Sequence, residues 1–450
     1  MKKTLLSMII ALTLNAAYAD IAKGSAAYQS KDYVTAFKEF KESADKGDAV
    51  AQSVLGFMYE NGDGVPKNVQ EAITWYLLAA NQGNGDAQFN LGIIYANGNG
   101  VPKNAQEAVK WYLLAANQGN ARAQLNLGVM YKDGNGVPKN AEETLKWYLL
   151  AANQGYVDAQ FNLGLMYKNG EGVPKNLQES LKWYLLAANQ GDPKAQVNLG
   201  LIYANGNGVP KNAQEALKWY LLAANQGDAK AQVNLGVMYG NGEGVAKNAQ
   251  EAVKWYLLAA NQGDARAQVN LGVMYANGEG VPENLQESLK WYLLAANQGN
   301  AAAQSNLGAL YQTGNAVVPK NAEEALKWYL LAANQDNKTA QYNLGVMYYS
   351  GDGIPKNLQE AAKWYLLAVN QGHANAQFNL GMMYENGEGT PKNKILAYAL
   401  YNILANQGDA EAKENRDKLK PDLTPDQLAE AQEISTNWKV NTPFPTETKY

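Results

Sequence analysis

The sequence contains no cysteine and a single histidine, His373, among its 450 residues. The missing cysteines exclude disulfides, thiol redox chemistry, cysteine nucleophiles and cysteine-ligated metals. An exported protein usually needs disulfides only where its core is too small to hold alone. His373 has neither a cysteine nor a second histidine to complete a metal site. A dominant charge of one sign is lacking too: 38 Lys and Arg face 42 Asp and Glu, a formal net charge of −4. That balance gives no general pull towards nucleic acid or an anionic membrane. Long apolar runs are missing beyond the first residues, so no membrane insertion is expected of the chain after them.

The first residues carry an export pattern. Lys2 and Lys3 form a positive start, Leu5–Leu14 an apolar run, and Ala17-Tyr18-Ala19 a small-x-small site before Asp20. This is the arrangement of a secretory signal peptide over residues 1–19. Its removal takes Lys2 and Lys3 with it and moves the net charge from −4 to −6. Export without disulfides points to a bacterial envelope. The expected address is the periplasm, with secretion as the alternative.

What the chain has is repetition. Trp-Tyr-Leu-Leu-Ala-Ala-Asn-Gln-Gly at 75–83 returns at Trp111, Trp147, Trp183, Trp219, Trp255 and Trp291, with Asp336 for the last Gly at Trp328, and with Val369 for one Ala at Trp364. The spacing is 36 residues, and 37 between Trp291 and Trp328. A fixed period of this size marks a helical solenoid, in which each unit touches only its neighbours. Ten units open at Ala51, Ala87, Ala123, Ala159, Ala195, Ala231, Ala267, Ala303, Ala340 and Ala376.

In the second unit, Ala87, Leu91, Ile94 and Tyr95 share one helical face, and Gly92 lies on it. This helix A stops at Asn97-Gly98-Asn99-Gly100-Val101-Pro102, because Gly favours the position past a helix end and Pro cannot continue one. Asn104 and Glu107 then have the spacing of a capping box. They open helix B, which carries Ala108, Trp111, Tyr112, Ala115 and Ala116 and ends at Gly119. The expected fold is all-α, a solenoid of antiparallel helix pairs. Its expected parts are a signal peptide (1–19), an N-terminal capping half-repeat (20–50), ten repeats (51–411), a C-terminal capping helix (412–440) and a flexible tail (441–450). Phe40 stands where later units have the Tyr of Trp-Tyr. Thr424-Pro425-Asp426-Gln427 opens the capping helix, and Pro443 and Pro445 mark the tail.

Two irregularities flank one unit. Gly314–Pro319 holds one extra residue, and Asp336 replaces a turn glycine, so a kink or softer joint is expected near 314–337. The last unit departs from the pattern, with Leu400 in place of Trp.

The pattern carried by Ala87, Leu91, Gly92, Tyr95, Gly98, Gly100, Val101, Ala108, Trp111, Tyr112, Ala115, Ala116 and Gly119 resembles the SEL-one-like repeat (SLR), a relative of the tetratricopeptide repeat. The resemblance covers residues 51–411. It implies a right-handed superhelix and a role as adaptor or scaffold in protein complexes. Some exported bacterial members act in envelope signalling and others in contact with host cells. A cysteine-rich exported subgroup is linked to penicillin binding, and this chain lacks those cysteines.

An enzyme needs a unique constellation, whereas nearly every polar residue here is repeated. No catalytic residue, metal site or cofactor is expected. Gly98-x-Gly100 follows a helix, whereas a phosphate-binding loop follows a strand. Asp63, Glu171, Glu243, Glu279, Asp352 and Glu388 sit singly in these turns and read as solvated charges. The tryptophans read as core between units, Asn90 as an amide bonded to the adjacent turn, and His373 as a solvent-facing helix cap.

The variable positions of helix A are the candidate partner surface. By the resemblance to tetratricopeptide arrays, helix A lines the concave groove. An apolar row there includes Phe89, Leu125, Phe161, Tyr342 and Phe378. A basic row includes Arg122, Lys194, Lys230 and Arg266, with Lys132 and Lys168 further along. The functional reading is a groove for a partner peptide or protein whose carboxylates meet the basic row. The competing readings are drift on a solvated face, a secreted host-binding factor, and an enzyme binding or hydrolysing cell-wall or β-lactam substrates.

Overall fold

The computed structural model describes residues 19–450, so the signal segment before Ala19 lies outside the described residues. The chain divides into two compact units, Met1–Ala223 and Ala224–Tyr450. Among the described residues both are helical throughout, with no strand. Helices α1 (Ala19–Gln29) and α2 (Tyr33–Asp45) come first. Helices α3 to α22 form the ten repeats, odd numbers being helix A and even numbers helix B; they run from α3 (Ala49–Asn61) and α4 (Val69–Asn81) to α21 (Ala374–Asn386) and α22 (Lys394–Asn406). Helices α23 (Ala410–Leu419) and α24 (Pro425–Asn437) follow.

Each repeat is a hairpin of antiparallel helices, as the bonds between its two helices require. In the first repeat the Asn68 amide, at the start of helix B, donates to the Tyr59 carbonyl near the end of helix A at 2.9 Å. At the other end, Gln82 Nε2 donates to Gln52 Oε1 at 2.7 Å. Midway, Gly56 faces the ring of Tyr76, where a Cβ would lie 2.6 Å from a ring carbon. The same Gly–Tyr approach recurs at Gly128–Tyr148 in the first unit and Gly345–Tyr365 in the second. Glycine is thus held in helix A by a fully buried tyrosine, despite a propensity cost of about 1 kcal/mol.

The two turn glycines do different work. Gly98 ends helix A in the left-handed conformation at φ 78°, its amide bonded back to the Ile94 carbonyl. Gly100, at φ 73°, meets the preceding repeat, since a Cβ there would lie 2.5 Å from Val69 Cγ1. The second glycine therefore serves stacking between repeats as well as the turn.

Caps follow the sequence pattern in part. The Asn68, Asn104 and Asn140 side chains accept amides at the start of helix B. The reciprocal half of the capping box is formed at Thr424 and Gln427 in α24. In the repeats the glutamate instead pairs with the lysine three residues on, as Glu143 does with Lys146 at 3.0 Å.

Residues 20–50, read as a half-repeat, contain both α1, from Ala19, and α2. A Cβ on Gly24 would lie 3.1 Å from the Phe40 ring, so Phe40 does take the tyrosine's place. The extra residue after Gly314 is absorbed locally: Asn315 Oδ1 accepts the amides of Val317 and Val318 at 2.9 and 2.8 Å, and Val318 is buried. Asp336 adopts the left-handed φ of 60° that glycine takes elsewhere. The hairpin survives both changes, because Gln335 still donates to Gln304 at 2.8 Å and Gly308 still faces Tyr329.

Helix α22 differs from every other helix B. Nine of its thirteen residues are buried, including Leu396, Leu400, Tyr401 and Ile403. An apolar helix of this kind must be covered on all sides. The cover is α24, bonded through Ser435 Oγ and Asn402 Nδ2 at 2.8 Å, and the C-terminal tail. The tail read as flexible is docked: Phe444 is 3% exposed, and the Asn393 side chain donates to Thr448 Oγ1 at 3.0 Å. The departures in the last repeat are thus the adaptation of a helix B to a buried position.

Candidate interaction surfaces

The buried glutamine side chains are occupied in joining helices. Gln88 Nε2 donates to the Ala80 carbonyl of the preceding helix B at 3.0 Å, and its Oε1 accepts from Gln118 at 2.7 Å. The same chain recurs in the second unit through Gln268, Ala260 and Gln298. These glutamines are invariant among the ten repeats. Their signal was polarity at a fixed place beside the buried alanine.

In several repeats the helix A asparagine, Asn90 among them, bonds to a tyrosine of the preceding helix B and not to the adjacent turn, whereas Asn198 donates to the Lys194 carbonyl at 2.9 Å. Asn379 Nδ2 donates to Tyr365 Oη at 3.1 Å. Asn126 and Asn270 meet Tyr112 and Tyr256 in the same way, while burial pushes both phenols up to about 12. Phenols held there do not exchange protons near neutral pH.

The tryptophans pack against the preceding repeat, as expected. Trp183 belongs to the cluster built on Tyr148, Ala151 and Leu163, and Trp291 to that built on Tyr256 and Leu271. Trp147, Trp183, Trp219, Trp291 and Trp328 are buried, and in each case the residue two positions earlier is Leu. Trp75, Trp111, Trp255 and Trp364 are half-buried behind the shorter or β-branched Ile73, Val109, Val253 and Ala362.

The turn acids are not all solvated. Asp63 is buried and accepts a hydrogen bond from Tyr28 at 2.7 Å. Glu388 accepts one from Tyr349 at 2.7 Å, and Asp352 pairs with Lys320 at 2.9 Å. His373 caps α21 through Nδ1, which accepts the Ala376 amide at 3.3 Å. It does not face solvent freely: the ring is half-buried and stacks on Tyr342 at 4.5 Å between centroids. Burial, reinforced by nearby Lys338, holds its pKa below the ordinary imidazole value.

The apolar row expected along an open groove is not exposed. Phe89 is buried, and Leu125, Phe161, Tyr342 and Phe378 are half-buried. Phe89, Phe161, Tyr342 and Phe378 each lie against the tyrosine of their own helix B, with ring centroids 5.7 to 6.0 Å apart. Helix A has helices on more than one side, so its buried arc exceeds a single stripe.

The basic residues divide. Arg122 stacks over Phe89 at 4.5 Å and pairs with Asp86 at 3.6 Å. Lys168 is half-buried and donates to Asn198 at 3.0 Å. Lys194 and Lys230 are exposed, and exposed Arg266 lies 3.5 Å from Asp264. Lys132 is exposed beside an open cavity of about 430 Å³ that Tyr131, Lys139, Thr144 and Glu171 also line. Among the described residues, no group of three or more His, Asp or Glu converges to hold a metal.

The Sel1 repeat family model matches the chain ten times in succession, from residues 49–84 to residues 374–409. The chain belongs to the Sel1 repeat family. Sel1 repeats typically form protein–protein interaction scaffolds, and the SLR architecture agrees with the helix pairs seen here. The chain is similar to c5321 of uropathogenic Escherichia coli, described as a protective antigen displaying an SLR fold. The two share 34% identity over 89% of this chain and 93% of that one, with a TM-score of 0.65. It is also similar to a Sel1 repeat protein from Oxalobacter formigenes, at 32% identity over 73% of this chain and 93% of that one, with a TM-score of 0.57. No curated protein matches the chain.

Proposed function

We propose that this Sel1 repeat protein is a non-catalytic interaction scaffold of the bacterial envelope, exported by residues 1–19. The observation that carries the reading is the fate of the polar side chains. The buried Gln side chains and the Asn–Tyr pairs join one helix to the next, and His373 caps a helix. Catalysis needs an acid, base or nucleophile placed to meet a substrate, and these groups are committed to structure. The surface that remains is repeated at a 36-residue period, which suits an extended partner better than a small molecule.

The exposed cations Lys132 and Lys194 in the first unit, and Lys230 and Arg266 in the second, Arg266 beside Asp264, are the part of the basic row placed to meet carboxylates of a partner. A crosslinking pull-down from intact cells tests this, comparing the mature chain with one carrying Glu at those four positions. A protein captured by the first and lost by the second supports the scaffold and the basic row. Equal capture keeps the scaffold and discards the row. Capture of no protein, with hydrolysis of a wall fragment or a β-lactam, overturns the reading in favour of an enzyme.

A second reading places the protein in contact with a host. Its support is the likeness to c5321, described as a protective antigen. Fractionating culture supernatant from periplasm separates the two addresses.

A further inference from the structure

The asparagine side chain of the Trp-Tyr-Leu-Leu-Ala-Ala-Asn-Gln segment is unengaged in most repeats. Asn81, Asn117, Asn153 and Asn189 in the first unit, and Asn261, Asn297 and Asn334 in the second, are exposed. Among the described residues none of their side chains makes a hydrogen bond. The glutamine beside each of them is engaged, as Gln118 is with Gln88. In the ninth repeat the same asparagine has a partner. Asn370 Oδ1 accepts the Phe444 amide at 2.7 Å, and the Asn370 carbonyl accepts the Asn441 amide at 2.7 Å.

The partner is the chain's own tail. It starts at Asn370, the last residue of α20 (Leu358–Asn370), and passes over α22 to reach Asn393 at the start of that helix. Phe444 fills the apolar cluster beneath, edge-on to Trp438 with centroids 5.9 Å apart. Pro443 and Pro445 have no amide hydrogen, so the one N–H of Pro-Phe-Pro is the one that Asn370 takes.

The same outer face of helix B carries one exposed leucine in each of nine repeats, one turn after an exposed lysine in most of them. The second leucine of Trp-Tyr-Leu-Leu, from Leu78 to Leu367, is between 42% and 49% exposed in nine repeats. In the tenth, Ile403 stands at that position and is 7% exposed, within the cluster that α24 and the tail cover. The chain thus covers this face once, at its C-terminal end, and leaves an exposed leucine in the nine repeats before it and an unbonded amide in the seven named above.

We propose that the outer face of the helix B row is a peptide-binding surface. Its occupant is an extended segment of a partner protein bearing an aromatic side chain between prolines, of the chemistry of Thr442-Pro443-Phe444-Pro445. A side-chain amide offers both an acceptor and donors, so it holds main chain without demanding a sequence. The prolines keep the segment extended before it binds, which lowers the ordering cost. The aromatic ring supplies the apolar contact with the leucines. The tail is then an occupant built into the last of these sites. This inference rests on the scaffold reading and moves the binding surface from helix A to helix B.

The test uses a labelled synthetic peptide of residues 439–450 and the mature chain with its own tail in place, read by fluorescence anisotropy. Saturable binding is expected. Replacing Asn81, Asn117, Asn153, Asn189, Asn225, Asn261, Asn297 and Asn334 together by Ala weakens it about fivefold or more, the effect of one lost hydrogen bond of about 1 kcal/mol. The Phe444→Ala peptide loses at least as much. Circular dichroism of the asparagine variant stays unchanged, because those side chains hold nothing in the fold. Three outcomes overturn the proposal: no binding to the intact chain, equal binding to the asparagine variant, or binding only after the chain's own tail is cut away. Concentration-dependent dimerisation that Phe444→Ala abolishes in the chain assigns the surface to a second copy instead and also overturns it. In the cellular pull-down, capture undiminished by the asparagine variant discards this surface alone, whereas capture by no form of the chain removes the scaffold reading beneath it.

Discussion

His373 is the only imidazole in the chain, so its titration can be followed without assignment by mutation. Burial and Lys338 lower its pKa in the fold, and protonation of Nδ1 would remove the acceptor for the Ala376 amide. A folded pKa below the unfolded value of about 6.5 means that the stabilisation is complete above that value and lost as pH falls through the folded pKa. An NMR titration should place the imidazole below 6.5, and a value at or above it contradicts this account. Glycine gives a second test at the same scale, because magnitude decides the sign. Gly164→Ala gains about 1 kcal/mol of helix propensity. It also places a Cβ 2.6 Å from the buried Tyr184 ring, an overpacking cost of about 1–3 kcal/mol. Net destabilisation is expected there. At Gly240 the nearest atom to a new Cβ is 3.9 Å away, so Gly240→Ala should stabilise by about 0.5–1 kcal/mol. Opposite shifts in local hydrogen exchange check the pair. The sequence showed that Gly164 lies on the buried face and that His373 caps a helix. It did not show the ring on the other side of either residue, because both rings come from another helix.

At the scale of helices, the alternation of A and B, their stops and the asparagine caps were legible, since local residues encode them. Two features were not. Phe89 and its equivalents looked like a second, exposed stripe, because a single helix does not reveal how many neighbours enclose it. The tail looked frayed because Pro and polar residues suit a loose end. Its partners Asn370 and Asn393 lie 74 and 55 residues from Phe444 and Thr448, beyond any local signal. Truncating the anchor measures what holds it. Phe444→Ala should cost about 3 kcal/mol, the usual penalty for emptying a buried aromatic site. The loss should be confined to the tail and α24, seen as amide protection lost at Asn441 and Phe444 while repeats in the first unit keep theirs. Equal loss of protection in both units contradicts a local role for the tail.

For the whole molecule, stability is a sum of repeats and their neighbouring contacts, so unfolding need not be all-or-none. Removal of residues 121–156 joins Asn120 to Val157 and brings together surfaces of the same design. Mean residue ellipticity should be unchanged and the protein monodisperse. Removal of residues 410–450 takes away α23, α24 and the tail and exposes the apolar outer face of α22. That deletion, of similar length, should be the more damaging, seen as self-association in sedimentation. A cap-less chain that stays monodisperse would contradict the role given to α24. The glutamine bond between the two helices of a repeat, first seen from Gln82 to Gln52, recurs at 2.7 or 2.8 Å from one repeat to the next. Joints that are copies of one another can be exchanged. A recombination event between two such segments of the gene would add or remove 36 residues without creating a new interface to be optimised. Length is therefore the property this architecture can change in one step, and a lineage can alter how far the protein reaches while leaving what it touches at each step the same.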